Sequence, residues 1–239
     1  MRKGFTLAEV SKMFPRPFGE RVRVRGKKAF TLAEVLITLG VIGVVAAMTM
    51  PTVIKKYNEH VTVNKVKKFY SVMNQSLMLS IKDNGFVDEW NYTNVNQFAD
   101  YIKPYLKIVK DCQTNSGCIG ESYKYLNEKG SVDYNSGTTN YDYYKLFLAD
   151  GTSLWFKIYA KSATTPCVMT DSGIPNICGL LWIDVNGKKE PNILGKDTFS
   201  FHILKNRIIP HAANDCSITD RGYGCSTYIL QNGNMNYLH

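Results

Sequence analysis

The chain has 239 residues, 44% hydrophobic and 21% charged, with six cysteines and a formal net charge of +9. Residues 1–29 hold nine Lys/Arg against two Asp/Glu, whereas the other 210 residues hold twenty against eighteen. The basicity therefore belongs to a leader, which removes net charge as an argument for nucleic-acid binding by the rest.

Within the leader, Gly4-Phe5-Thr6-Leu7-Ala8-Glu9-Val10 is repeated as Ala29-Phe30-Thr31-Leu32-Ala33-Glu34-Val35, with only the first residue changed. The first copy runs into Ser11, Lys12 and Pro15, so it reads as a non-functional duplication or as sequence upstream of a start at Met13. The second copy opens residues 35–54, twenty consecutive residues without a charge. At about 1.5 Å per residue such a helix spans roughly 30 Å, the hydrocarbon thickness of a bilayer. The run is longer than a signal-peptide core, and no small-residue cleavage pattern follows it. Basic residues ahead of it place the N-terminus in the cytoplasm and the residues beyond about 55 outside. Glu34 stands at the edge of the apolar run, where an acid needs a partner, a proton or access to the headgroups.

Basic leader, small residue, Phe-Thr-Leu, one residue, Glu and about twenty apolar residues together resemble the prepilin signature of type IV pilins and type II secretion pseudopilins. The motif-level resemblance covers roughly residues 27–57. It implies cleavage by a prepilin peptidase between Ala29 and Phe30, with N-methylation of Phe30. Ala29 departs from the glycine most often found before the cut. Glu34 then takes the place of the family's assembly glutamate, paired with the amino terminus of a neighbouring subunit, and so acts as a register device in a filament. Pro51 falls on a proline common in pilin helices and is expected to kink or loosen the helix around Ala47. Gly40, Gly43 and Ala47 share one face and would allow close helix approach. The partners implied are the peptidase, other pilin-like subunits and an inner-membrane assembly platform, with nothing that points directly to nucleic acid.

Beyond the apolar run, Ile54, Tyr57, Val61, Val66, Phe69, Met73, Leu77 and Ile81 recur near helical spacing, which predicts an amphipathic continuation over 55–84 ended by Asn84-Gly85. A second helix is expected from Asn96 to about Lys110, bent or interrupted by Pro104, followed by loop over 113–140. The six cysteines, Cys112, Cys118, Cys167, Cys178, Cys216 and Cys225, all lie on the side read as exported. An even count there reads as a disulfide framework. Local bridges 112–118, 167–178 and 216–225 come first among fifteen connectivities, with buried free thiols as the competing reading. No C-x-x-C occurs, and the spacings match no zinc ribbon or finger.

Strands are expected over Tyr143–Leu148 and Thr152–Tyr159, joined as a hairpin by Ala149-Asp150-Gly151, then over Leu180–Val185, Thr198–Leu204 and finally Thr227–Leu230. A long helix followed by an antiparallel sheet is an α+β arrangement, which the pilin resemblance also implies. The domain reading is leader 1–29 (removed), transmembrane assembly helix 30–54, amphipathic continuation 55–84 and exported domain 85–239. The Asp184–Asp197 linker resembles a D-x-N-G…P-N…G-x-D stretch of pseudopilin-like proteins. Asp184, Asn186 and Asp197 are candidate oxygen ligands for Ca²⁺, against an Asx-stabilised turn and three nearby lysines, Lys188, Lys189 and Lys196.

No catalytic motif is present, and His60, His202, His211 and His239 fall singly along the chain. The expectation is a non-enzymatic pilin-like or pseudopilin-like subunit, anchored in the inner membrane and assembled into a periplasmic or surface filament. The alternatives are a monomeric membrane-tethered binding domain and, lacking any visible catalytic cluster, a tethered enzyme.

Overall fold

The computed structural model describes residues 30–134, 143–159, 167–171 and 173–239. Leader residues 1–29, and with them Ala29, Met13 and the first repeat, lie outside the described residues. So do 135–142, which include the end of the loop expected over 113–140.

The chain divides into two units, at Met50/Pro51. In the first, residues Phe30–Met50 carry the opening of helix α1 (Leu32–Asn84). Its large apolar side chains, among them Leu36, Ile42, Val45 and Met48, are exposed. This is the one helix, among the described residues, long and apolar enough to cross a membrane.

The second unit begins within α1. Val63, Val66, Phe69, Met73, Ser76, Leu77 and Ser80 are buried at helical spacing. Ile54 and Tyr57, expected on that stripe, are more than half exposed, so burial starts at Val63. The two buried serines are satisfied across the interface: Ser76 Oγ donates to the Tyr105 carbonyl at 3.0 Å and Ser80 Oγ to that of Tyr101 at 2.6 Å. Gly85 closes α1 in the left-handed conformation (φ 80°), its N–H on the Ile81 carbonyl.

Helix α2 spans Val95–Ile102, started by the Asn94 side chain accepting from the Gln97 N–H. It is shorter than the expected Asn96–Lys110. Pro104 tightens the chain into a 3₁₀ turn over Lys103–Tyr105 and Leu106 is extended. The residues beyond it are drawn into strand β1 (Ile108–Gln113), which pairs with strand β4 (Tyr144–Leu148). Within the expected loop, β2 (Tyr123–Lys124) and β3 (Ser131–Val132) form a small ladder of their own.

The main sheet is antiparallel. Strands β5 (Ser153–Ile158), β6 (Met169–Asp171), β7 (Ile174–Asp184), β8 (Thr198–Leu204) and β9 (Ile208–Pro210) complete it. The order is β1-β4-β5-β7-β8-β9, and β6 pairs with the first part of β7. Alternation splits the central strands between two cores. Leu154, Phe156, Leu181, Ile183, Phe199, Phe201 and Ile203 pack in the core that includes α1 and α2. Trp155, Leu180 and Trp182 pack in the other, with Tyr123, Tyr134 and Tyr143.

Residues Thr227–Leu230 are helical, not a strand: helix α3 spans Cys225–Asn232. Cys225, Ser226 and Ile229 are its buried positions, a helical interval, and Gly233 ends it at φ 69°. Four apolar-rich residues satisfy a strand pattern as easily as one helical turn, and the glycine stop decides between them. Disulfides join Cys112 to Cys118, Cys167 to Cys178 and Cys216 to Cys225.

Candidate functional site

At the start of α1, Thr31 and Glu34 form a reciprocal cap. The Thr31 N–H and hydroxyl donate to Glu34 Oε2 at 2.9 and 3.0 Å, and the Glu34 N–H donates back to Thr31 Oγ1 at 3.2 Å. The Glu34 carboxylate thus organises the first helical turn of its own chain. Phe30, just ahead of it, is 84% exposed. Neither Gly40 nor Gly43 has any atom within 4 Å of where a Cβ would stand. Nothing among the described residues therefore requires glycine there. Pro51 lies inside α1 and offers no N–H to the Ala47 carbonyl.

A model of a family of unknown function (DUF6613) matches residues 52–229, well over half of the chain. The chain belongs to this family. In this DUF6613 member a model of the prokaryotic N-terminal methylation motif also matches, at residues 24–50. That is the type IV pilin and pseudopilin signal, and the match includes the second copy of the repeat, Ala29–Val35. The DUF6613 chain is thus a type IV pilin-like or pseudopilin-like protein with an apolar N-terminal helix suited to membrane anchoring. No curated protein and no solved structure matches it.

The structure brings Asp184, Asn186 and Asp197 together in one polar knot. Asp197 Oδ1 accepts from the Ile193 N–H at 2.7 Å, and Oδ2 from the Asn192 N–H at 2.9 Å and the Asn186 amide at 3.2 Å. Asp184 accepts from the Asn186 N–H at 3.1 Å and the Tyr123 hydroxyl at 3.3 Å. With the Asn192 amide turned so that its nitrogen faces the acid, it reaches Asp184 Oδ2 at 3.2 Å and the Lys189 carbonyl at 3.0 Å. Calcium wants six to eight oxygens converging on one point. Here the carboxylates are taken up by N–H and O–H donors and brace the Val185–Asp197 linker, while Asn186 Oδ1 makes no hydrogen bond among the described residues. Burial, followed by the charge of Asp197, pushes the Asp184 carboxyl up to about 8. Asp197 is also raised by burial, against the pull of its backbone donors.

The histidines do not all stand singly. His202 and His211 lie with ring centroids 4.3 Å apart, and both are buried. Asp171 joins them, with Oδ2 3.4 Å from His202 Nε2 and 3.7 Å from His211 Nε2. Sequence reasoning missed this group because its members come from β6, β8 and the segment after β9. No short spacing announces it. His60 instead faces Asn64, and His239 contacts Glu59 and Lys55.

Proposed function

We propose that this protein is a structural subunit of a filament of the type II secretion or type IV pilus kind. Prepilin peptidase cuts between Ala29 and Phe30, the new terminus at Phe30 is methylated, and residues 35–54 hold the chain in the inner membrane until assembly. The second unit is the exported head, and its disulfides suit an oxidising compartment.

The observation that carries this reading is the methylation motif, with Glu34 in register, on a helix whose large apolar side chains lie exposed from Leu32 to Met50. A monomeric anchor would use the apolar surface and the local cap, but it gives the Glu34 charge no partner in hydrocarbon. A filament uses the acid to fix the stagger between subunits, because an unpaired carboxylate in hydrocarbon is costly.

The test is the N-terminal sequence and intact mass of the protein recovered from its native membrane. A chain starting at Phe30 with one added methyl group supports the subunit reading. A chain that retains residues 1–29 or 13–29 overturns it in favour of the tethered monomeric domain.

A further inference from the structure

Asp171, His202 and His211 offer one carboxylate oxygen and two imidazole nitrogens whose ligand atoms all lie within 4.8 Å of one another. We infer that these three residues form a divalent transition-metal site, and that the ion is Zn²⁺ with its fourth position open. This inference is independent of the filament reading.

The geometry is the first argument. Tetrahedral zinc with bonds of about 2.0–2.1 Å separates neighbouring ligands by about 3.3–3.4 Å. Asp171 Oδ2 already stands 3.4 Å from one imidazole and 3.7 Å from the other. The carboxylate is thus already at ligand spacing from both rings, and the widest separation in the set, within 4.8 Å, has to close by at most about 1.4 Å.

The second argument is the state of the imidazoles. His202 is fully buried, and neither of its ring nitrogens makes a well-formed hydrogen bond among the described residues; His211 Nδ1 also lacks one. Buried polar groups are normally satisfied. Two adjacent rings sharing one carboxylate, with this much unused donor and acceptor capacity, are explained by a ligand that takes their lone pairs.

Third, the rings are held for the purpose. His202 lies on β8, between Leu180 of β7 and Ile209 of β9. His211 is fixed through its backbone. Its N–H donates to Ser226 Oγ at 3.1 Å, its carbonyl accepts from Thr227 Oγ1 at 2.6 Å, and both partners belong to α3. Asp171 is about one-third exposed, which gives an ion a way in and leaves room for water or an outside donor in the fourth position. The neighbours that would compete are Lys157, whose charge acts on Asp171, and the Tyr223 ring beside His211.

Two imidazoles and a carboxylate also suit ferrous iron. The three disulfides mark an oxidising surrounding, where a redox-inert ion is the better match. Bound zinc would clip β6 and the segment after β9 onto β8.

The experiment uses the full-length chain without a polyhistidine tag, in detergent, stripped with chelator and titrated with Zn²⁺ by calorimetry. Co²⁺ serves as the visible-absorption probe. The expected result is one ion per chain, micromolar or tighter, with the spectrum of tetrahedral cobalt. D171N and H211Q should each weaken zinc binding at least about tenfold, while a doubly substituted H60Q/H239Q chain binds as the parent does. Asp171 is partly exposed and Asn keeps its shape, so D171N decides the matter even if a buried-histidine variant fails to fold. No zinc uptake by the parent, or undiminished affinity in folded D171N, overturns the site. So does loss of binding confined to H60Q/H239Q.

Discussion

At the scale of single residues, Asp184 and Asp197 stabilise the linker through the donors they collect, yet each is a carboxyl removed from water. The sign of the resulting pH dependence follows from the Asp184 value of about 8, raised from 3.8. Between those limits the folded chain holds a proton that the unfolded chain has released, so raising the pH favours unfolding. Below about 4 both states are protonated and the effect vanishes. The shift of Asp197 has the same sign. Buried His202 and His211 are shifted down and act in the opposite sense below about 6.5, so the effect is read against D184N: relative to that variant the parent should lose stability, on the order of a few kcal/mol, as pH rises from about 4 to about 8. D184N keeps one acceptor oxygen and cannot ionise, so it should lack this loss. Denaturant midpoints at about pH 5 and 8 measure this. The same change between the two pH values in parent and D184N would show that Asp184 is ionised and well solvated in the native state.

At the scale of elements, the start of α1 combines a local task with an intermolecular one, and two substitutions separate them. Glutamine serves as well as glutamate at the third position of a capping box. E34Q should therefore keep the helical start seen between Thr31 and Glu34 while removing the charge. T31A does the reverse, losing a cap worth about 0.5–2 kcal/mol while leaving the carboxylate. If the charge sets subunit register, cross-linked multimers in the native membrane disappear in E34Q and persist in T31A. Equal assembly by parent and E34Q would remove the charge from the account. The same elements show what a sequence reveals. The apolar run, the methylation motif, the α1 stripe from Val66 onward and the β4–β5 hairpin with its Gly151 turn are local patterns, readable because helical and strand periods are short. Within helix α3, Thr227–Leu230 reads as a strand from sequence because four residues are too few to fix a period. The residues after Pro104 became β1 through pairing with β4, a long-range event that no local window contains. Asp171, His202 and His211 meet only once the sheet has formed, so composition showed two isolated histidines and nothing more.

At the scale of the molecule, the placement of buried side chains decides how much of the chain can fold alone. Among the described residues the first buried apolar side chain is Val63, and the rest run on to Tyr237. A fragment of residues 55–239 retains all of them and loses most of the exposed apolar run. It should therefore be a soluble, disulfide-bonded monomer that unfolds cooperatively, whereas the full chain needs detergent. A fragment of residues 85–239 is expected to behave differently, although a boundary after Asn84 looks natural from the sequence. It loses Val63, Val66, Phe69, Met73 and Leu77, all buried in the core with Phe199, Phe201 and Ile203. At about 1.5–3 kcal/mol for each fully buried apolar side chain, that deficit matches or exceeds the roughly 5–15 kcal/mol that holds a typical domain together. The sheet face left bare would also be an exposed apolar patch. Residues 85–239 should accordingly aggregate, or show non-cooperative melting with unpaired thiols. Circular dichroism melts, size-exclusion elution and thiol counts on the two fragments make the comparison. A soluble 85–239 fragment that melts cooperatively with three intact disulfides would mean that this half of α1 is an accessory to the head, and that the core closes without it.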